Sequence, residues 1–118
     1  MGAAIARAAN ASDVLEQVVV TDLEVRRSGR AIEGLDERQF SARALDASEA
    51  LAIAELAREV CADVIVNACD PRLNPPIFAA AFDAGCHYID MAMNVSAPHP
   101  ERPYELPGRM LGEAQLAA

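Results

Sequence analysis

Tryptophan is absent from this chain, and aromatic residues make up only 4% of it. A core dominated by stacked rings is excluded; alanine and aliphatic side chains must fill it instead. Lys and Arg total 10 against 18 Asp and Glu, for a net charge of −8. That balance argues against a nucleic-acid partner, because such binding rests on basic side chains facing phosphates. No apolar run approaches the roughly 20 residues of a membrane span, so no membrane partner is expected. The start carries no basic segment followed by an apolar one, as a signal peptide would. Only three cysteines occur, Cys61, Cys69 and Cys86. Their spacing makes no disulfide framework, and with His87 and His99 they match no zinc pattern. No metal is expected, and a reducing cytoplasm is the simplest location. Cys69 has no basic partner in sequence to form a thiolate, so it reads as a small buried hydrophobe. There is neither a P-loop nor a G-x-S-x-G element.

What is present is a soluble globular composition, 53% hydrophobic and 24% charged over 118 residues, enough for one domain at most. The most informative stretch is ADVIVNACDPRLNPPIFAAAFDAGCHYID, residues 62–90. Val64, Ile65 and Val66 are a β-branched run, which predicts a strand buried on both faces. A polar turn from Asn67 to Asn74 follows. Pro75 and Pro76 suit the first turn of a helix, where a missing N–H breaks no intrahelical bond. Ile77, Ala81 and Ala84 fall on one face of it, Phe78 and Phe82 on the next. Gly85 stands where the helix should end, and His87–Asp90 forms a second strand. Two parallel strands joined by a helix make a βαβ unit. Ligands of such units bind outside the carboxyl ends of the strands, which here carry Asn67, Ala68 and Asp90. Asn67 and Asp70 are equally explained as turn residues.

Residues Met1–Ala9 favour a helix, with Ala4, Ile5, Ala8 and Ala9 on its apolar face. Gln17–Asp22 (QVVVTD) then reads as a strand ending on an acid. In dinucleotide-binding folds a glycine turn opens the first helix, and about 20 residues later an acid receives the adenosine ribose. Gly2 fits the last glycine of that turn and Asp22 the acid. A helix-start glycine and a turn acid explain the same two residues. If the fit holds, the first strand and two glycines belong before Met1. Met1 is then an internal or mis-assigned start, and the chain alone is expected to bind a dinucleotide poorly or not at all.

Glu24–Leu35 predicts a second helix ending near Gly34. Arg26 and Arg27 either reach a ribose 2′-phosphate or form a solvated face. Phe40–Leu45 predicts a third strand. Asp46-Ala47-Ser48-Glu49 resembles a capping box for a helix to about Val60, with Leu51, Ala54, Leu56 and Ala57 inward. Asp46 also lies where an adenine would rest in such a topology. Met91–Pro107, with four prolines, can be neither helix nor central strand. It carries His99 and Tyr104, and a loop of that kind at a sheet edge is usually functional. Gly112–Ala118 looks like the start of a helix.

These residues carry a resemblance. Asn67-Ala68, Pro71, Asn74-Pro75, Ala84-Gly85, His87-Tyr88 and Asp90 are similar to the fourth-to-fifth-strand segment of the saccharopine dehydrogenase family, a group of NAD(P)-dependent oxidoreductases. Val19–Arg27 resembles that family's second strand with its ribose-binding acid, and Pro98–Tyr104 resembles members of one branch. The resemblance implies an α/β fold: a Rossmann-like, doubly wound parallel sheet, incomplete, lacking its first strand and a C-terminal substrate domain. Residues 1–92 would be the partial dinucleotide-binding domain, and residues 93–118 a Pro-rich loop and helix start leading to the absent domain. It implies NAD or NADP as cofactor and hydride transfer at a secondary amine or imine carbon of an amino-acid-like substrate. A homo-oligomer is compatible with it. The cofactor residues it carries over are Gly2, Asp22, Asn67 and Ala68, with Asp46 and Asp90 beside them; catalytic residues are not carried over. Asp22 favours NAD, because a carboxylate repels a 2′-phosphate, while Arg26 and Arg27 leave NADP open. The rival readings are a non-catalytic nucleotide-binding fragment or module and a Rossmann-like methyltransferase.

Overall fold

The computed structural model describes residues 2–91 and 98–118. Expectations for Met1, Ala92 and the loop over 92–97 lie outside the described residues. The elements run α1 (Gly2–Asn10), β1 (Val18–Asp22), α2 (Val25–Ala31), β2 (Phe40–Ala44), α3 (Ala50–Glu59), β3 (Val64–Asn67), α4 (Asn74–Ala84), β4 (His87–Asp90) and α5 (Glu113–Ala117). Contacts divide the chain into two compact units, Met1–Asp46 and Ala47–Ala118. The fold is mixed α/β with short parallel strands in two sheets, in keeping with an incomplete Rossmann-like domain.

In the first unit β1 and β2 are parallel, Val18 opposite Phe40 and Asp22 opposite Ala44. The β-branched run Val18-Val19-Val20 suits this pairing. α2 packs on both strands, and α1 packs on α2 and β1. Phe40 and Ala6 are buried, and so is Ser28, whose hydroxyl donates to Val25 O (3.0 Å) and Arg43 O (3.3 Å). The second of these bonds ties α2 to β2. In α1 the buried residue is Ala6, while Ala4 and Ala8 are exposed; the predicted face was turned by about one position. α2 ends at Ala31, earlier than its pattern suggested, and Gly34 turns the chain at φ 81°.

In the second unit β3 and β4 are parallel, Val64 opposite His87 and Asn67 opposite Asp90. α4 packs on both strands and on α3. The buried side chains Ile53, Ala54 and Ala57 of α3 and Ile77, Ala80 and Ala81 of α4 supply the core. Arg58 Nη2 joins the two helices by donating to Asp83 Oδ2 (2.6 Å) and Asp83 O (3.0 Å). α4 carries prolines in its first turn as expected, preceded by a tight 3-10 turn over Pro71–Leu73 that periodicity could not reveal. Gly85 ends it in the left-handed region at φ 72°, where a Cβ would be strained.

Four expectations about this unit are corrected. The capping box fails: α3 begins at Ala50, and its N-cap is Glu49, whose side chain makes no capping hydrogen bond. The helix starts four residues after Asp46, so Asp46 does not stand at the N-cap position. Leu51 is 75% exposed and Ile53 takes its place inside, because at 100° per residue a helix burying 53, 54 and 57 turns 51 outward. β3 is not buried on both faces. α4 meets the face holding Asn67 and Tyr88, so the alternate residues Val64 and Val66 remain 43% and 44% exposed. Cys69 is exposed, not buried. No helix among the described residues is long and apolar enough to cross a membrane.

Candidate functional site

Two groups of the sequence-predicted residues are drawn together, each within its own unit. In the first unit a cavity of about 270 Å³ opens at the carboxyl end of β1, lined among others by Gly2, Val20, Thr21, Asp22, Arg27 and Arg30. The first residue of α1 and the last of β1, twenty positions apart in sequence, thus face one space. Nothing lies within 4 Å of where a Gly2 Cβ would be, so that flank is open. Asp22 Oδ1 accepts the Glu24 N–H (3.0 Å), which fixes the turn leaving β1 and orients the carboxylate. Arg27 pairs with Glu24 at 3.4 Å on a solvent-exposed surface. Arg30, one helical turn further, lines the cavity as well, whereas Arg26 is not among its lining residues. The lining residues of α2 are Arg27, Ser28, Arg30 and Ala31, a face centred on 27 and 31, and Arg26 lies outside it. Asp46 does not line the cavity either.

In the second unit Asn67 and Asp90 end the paired strands opposite each other, and Met91 N donates to Asn67 O at 3.2 Å. Asn67 is buried at 3% exposure and Asn74 at 4%. Asn67 Nδ2 donates to Asn74 Oδ1 (2.7 Å) and to the Tyr88 hydroxyl (3.0 Å). Asn67 Oδ1 accepts the Cys69 N–H (2.9 Å), holding the turn through Ala68. Burial pushes the Tyr88 hydroxyl above its ordinary pKa, with the hydrogen bond from Asn67 opposing and the nearby Asp90 carboxylate reinforcing the rise. The Tyr88 ring stands edge-on to Phe78, centroids 5.3 Å apart. Arg30 is a participant that sequence reasoning did not single out, and Asn74 and Tyr88 entered there only as motif residues with no site role. The signal for Asn74 was there: an asparagine at the start of an apolar helix needs a buried partner.

Beside this cluster, Asp70 accepts from Arg72 Nε (2.9 Å) and Arg72 N (2.9 Å) at the surface. The guanidinium and then the backbone N–H hold the Asp70 carboxyl down at about 2. His99 is used in its own turn, Nδ1 accepting from the N–H groups of Glu101 (3.3 Å) and Arg102 (3.2 Å). Tyr104 is fully exposed. Among the described residues no group of three His, Cys, Asp or Glu is arranged to hold a metal ion.

Comparison with known proteins gives the chain's family. The family model described as the saccharopine dehydrogenase NADP binding domain matches residues 1–118. Carboxynorspermidine synthase of Vibrio alginolyticus is 27% identical over 97 residues, a match covering 75% of this chain and 23% of that protein. Carboxynorspermidine synthase of Vibrio cholerae is 25% identical over 97 residues, with the same coverage. The chain therefore spans about a quarter of the length of the curated relatives it matches.

Proposed function

This chain belongs to the saccharopine dehydrogenase family through its NADP-binding domain, and from that premise we propose that it is the cofactor-holding part of an NADP(H)-dependent oxidoreductase acting at a secondary amine or imine carbon of an amino-acid-like substrate. One observation carries the cofactor reading: Gly2, Asp22, Arg27 and Arg30 line one cavity at the carboxyl end of β1. Its groups suit the adenosine ribose of such a cofactor. Asp22 accepts hydrogen bonds from ribose hydroxyls, and the open flank at Gly2 admits phosphate close to backbone. A carboxylate alone would favour NAD. Two guanidiniums beside it supply charge and paired donors for a 2′-phosphate, which tips the choice toward NADP.

When bound, the nicotinamide supplies the hydride chemistry, while the protein binds and orients it. Asn67, Ala68 and Asp90, at the strand ends of the second unit, are proposed as further cofactor contacts. The curated relatives are named for making carboxynorspermidine, a carboxylated amine by its name, which agrees with an amino-acid-like substrate. A cytoplasmic location is proposed with it, in keeping with Cys61, Cys69 and Cys86 not being joined in disulfides.

The test is titration of the chain with NADPH, NADH and S-adenosylmethionine, followed by amide NMR shifts, which register even millimolar affinity. NADPH should bind more tightly than NADH, and S-adenosylmethionine should not bind. Binding of the methyl donor without either dinucleotide would move the chain to the methyltransferase reading. The reaction class is tested by NADPH consumption with amino acids paired with carbonyl compounds.

A further inference from the structure

A second cavity, of about 590 Å³, lies wholly within the second unit. Pro75 and Phe78 of α4 form one wall, and the turn leading into α5 forms the other. Pro75 follows Asn74, whose side chain is bonded to Asn67 at the end of β3, so this wall stands at the carboxyl end of that strand. Parallel α/β units take their ligands there. The volume is that of a small-molecule site, which is typically apolar with a few placed polar groups.

Gly112 brings the turn onto α4. It is buried, its φ is 77°, and a Cβ on it would stand 2.7 Å from Phe78 Cε1. The Glu113 N–H donates to Met110 O (3.3 Å) and closes the turn. Arg109 and Glu113 flank it. They are the one cation and the one anion lining the cavity among the described residues. Neither side chain is engaged in an ion pair there. Two opposite charges held close and not spent on each other suit a ligand that carries both signs. Between them Phe78, Met110 and Leu111 line an apolar floor. Pro75 and Pro76 bring no N–H groups to the start of α4, which leaves Arg109 as the charged donor for an anionic group.

We propose, resting on the amino-acid-like substrate of the reading above, that this cavity takes an α-amino acid with an aliphatic or aromatic side chain as its zwitterion. Arg109 pairs with the carboxylate, Glu113 with the ammonium, and the ligand's side chain lies against Phe78. A guanidinium offers a carboxylate two parallel N–H donors, and a carboxylate accepts the ammonium hydrogens. A third charge on the ligand would lose water against Phe78 and Met110 with no partner, so acidic and basic side chains are disfavoured.

The experiment titrates the 118-residue chain with L-phenylalanine in the absence of cofactor and follows amide NMR shifts. Leu111, Gly112 and Glu113 should shift together and saturate. 3-Phenylpropionate lacks the ammonium and phenethylamine lacks the carboxylate. Each should bind roughly 3–10-fold more weakly than L-phenylalanine, the scale of one charge-assisted hydrogen bond at an exposed site. L-Glutamate should bind more weakly too. Arg109→Gln should weaken L-phenylalanine by a similar factor. In Glu113→Gln the amino acid and 3-phenylpropionate should bind alike, which a merely structural glutamate would not bring about. Both residues are exposed, so the variants should fold, as thermal melting reads; the two ligand analogues decide the matter in the unaltered chain if they do not. No saturable shift at the three amides overturns the proposal. So does equal affinity of the unaltered chain for L-phenylalanine and 3-phenylpropionate, or for L-phenylalanine and L-glutamate. NADPH titrated into the same chain keeps the readings apart. NADPH bound without L-phenylalanine removes this site alone, whereas L-phenylalanine bound without NADPH removes the cofactor reading and leaves this site.

Discussion

Asn67 and Asn74, seven positions apart, meet in the interior through a 2.7 Å bond from Nδ2 of the first to Oδ1 of the second. One ends a strand and the other begins a helix, so a single buried contact closes the turn between them. Asn74→Leu removes the acceptor and leaves a buried N–H unpaired. It should destabilise the chain by about 1–3 kcal/mol, the penalty of an unsatisfied buried group. Urea unfolding measures it, and a midpoint equal to that of the unaltered chain would refute the assignment.

Gly112 should tolerate no side chain. Its φ is 77°, and a Cβ there would meet the Phe78 ring, Cε1 at 2.7 Å. That ring cannot move freely, because it also stands against Tyr88. Gly112→Ala should cost about 1–3 kcal/mol from backbone strain and overpacking together. Phe78→Leu in the same chain should recover part of that loss in a thermal melt.

Cofactor choice should divide between one acid and two bases. Asp22→Ala should weaken NAD by roughly 1–3 kcal/mol, the scale of a lost charge-assisted hydrogen bond. Arg30→Ala should weaken NADP and leave NAD nearly unchanged, because only NADP brings a 2′-phosphate. Paired titrations with the two cofactors read both effects. Equal affinities before and after Asp22→Ala would reduce that residue to a turn acid holding the Glu24 N–H.

Asp70 should titrate abnormally low. Its carboxyl is held at about 2 instead of 3.8, first by the Arg72 side chain and then by the Arg72 N–H. A depressed folded pKa means a contribution to stability that is present above 3.8 and lost as pH falls through about 2. The group is fully exposed, so that contribution is small. Arg72→Ala should return the Asp70 titration toward the ordinary carboxylate range, as read by side-chain carboxyl NMR shifts. A midpoint that stays near 2 would show the backbone contact to be sufficient.

The sequence by itself determined the local backbone. β-Branched runs gave β1 and β3, Pro75 and Pro76 opened α4, Gly85 closed it, and the alternation of strand with helix implied parallel pairing. Those choices rest on steric limits to φ and ψ that each residue imposes on its neighbours, so they survive without tertiary context. The family likeness was legible for the same reason, since its motif lies in one continuous stretch.

The tertiary structure alone decided which faces are covered and which polar groups meet. Leu51 and Ile53 are equally good helix residues, and only packing against α4 sends one out and the other in. Val66 reads as core, yet α4 covers the opposite face of its strand. Arg26 and Arg27 are indistinguishable as letters, and the turn of α2 puts Arg27 and Arg30, not Arg26, on the cavity. Asn67 finds its partners at positions 74 and 88, one of them 21 residues away. Hydrogen bonds of that separation exist only once β3, α4 and β4 have packed, because burial makes an unpaired amide too unfavourable to leave and supplies the geometry that pairs it.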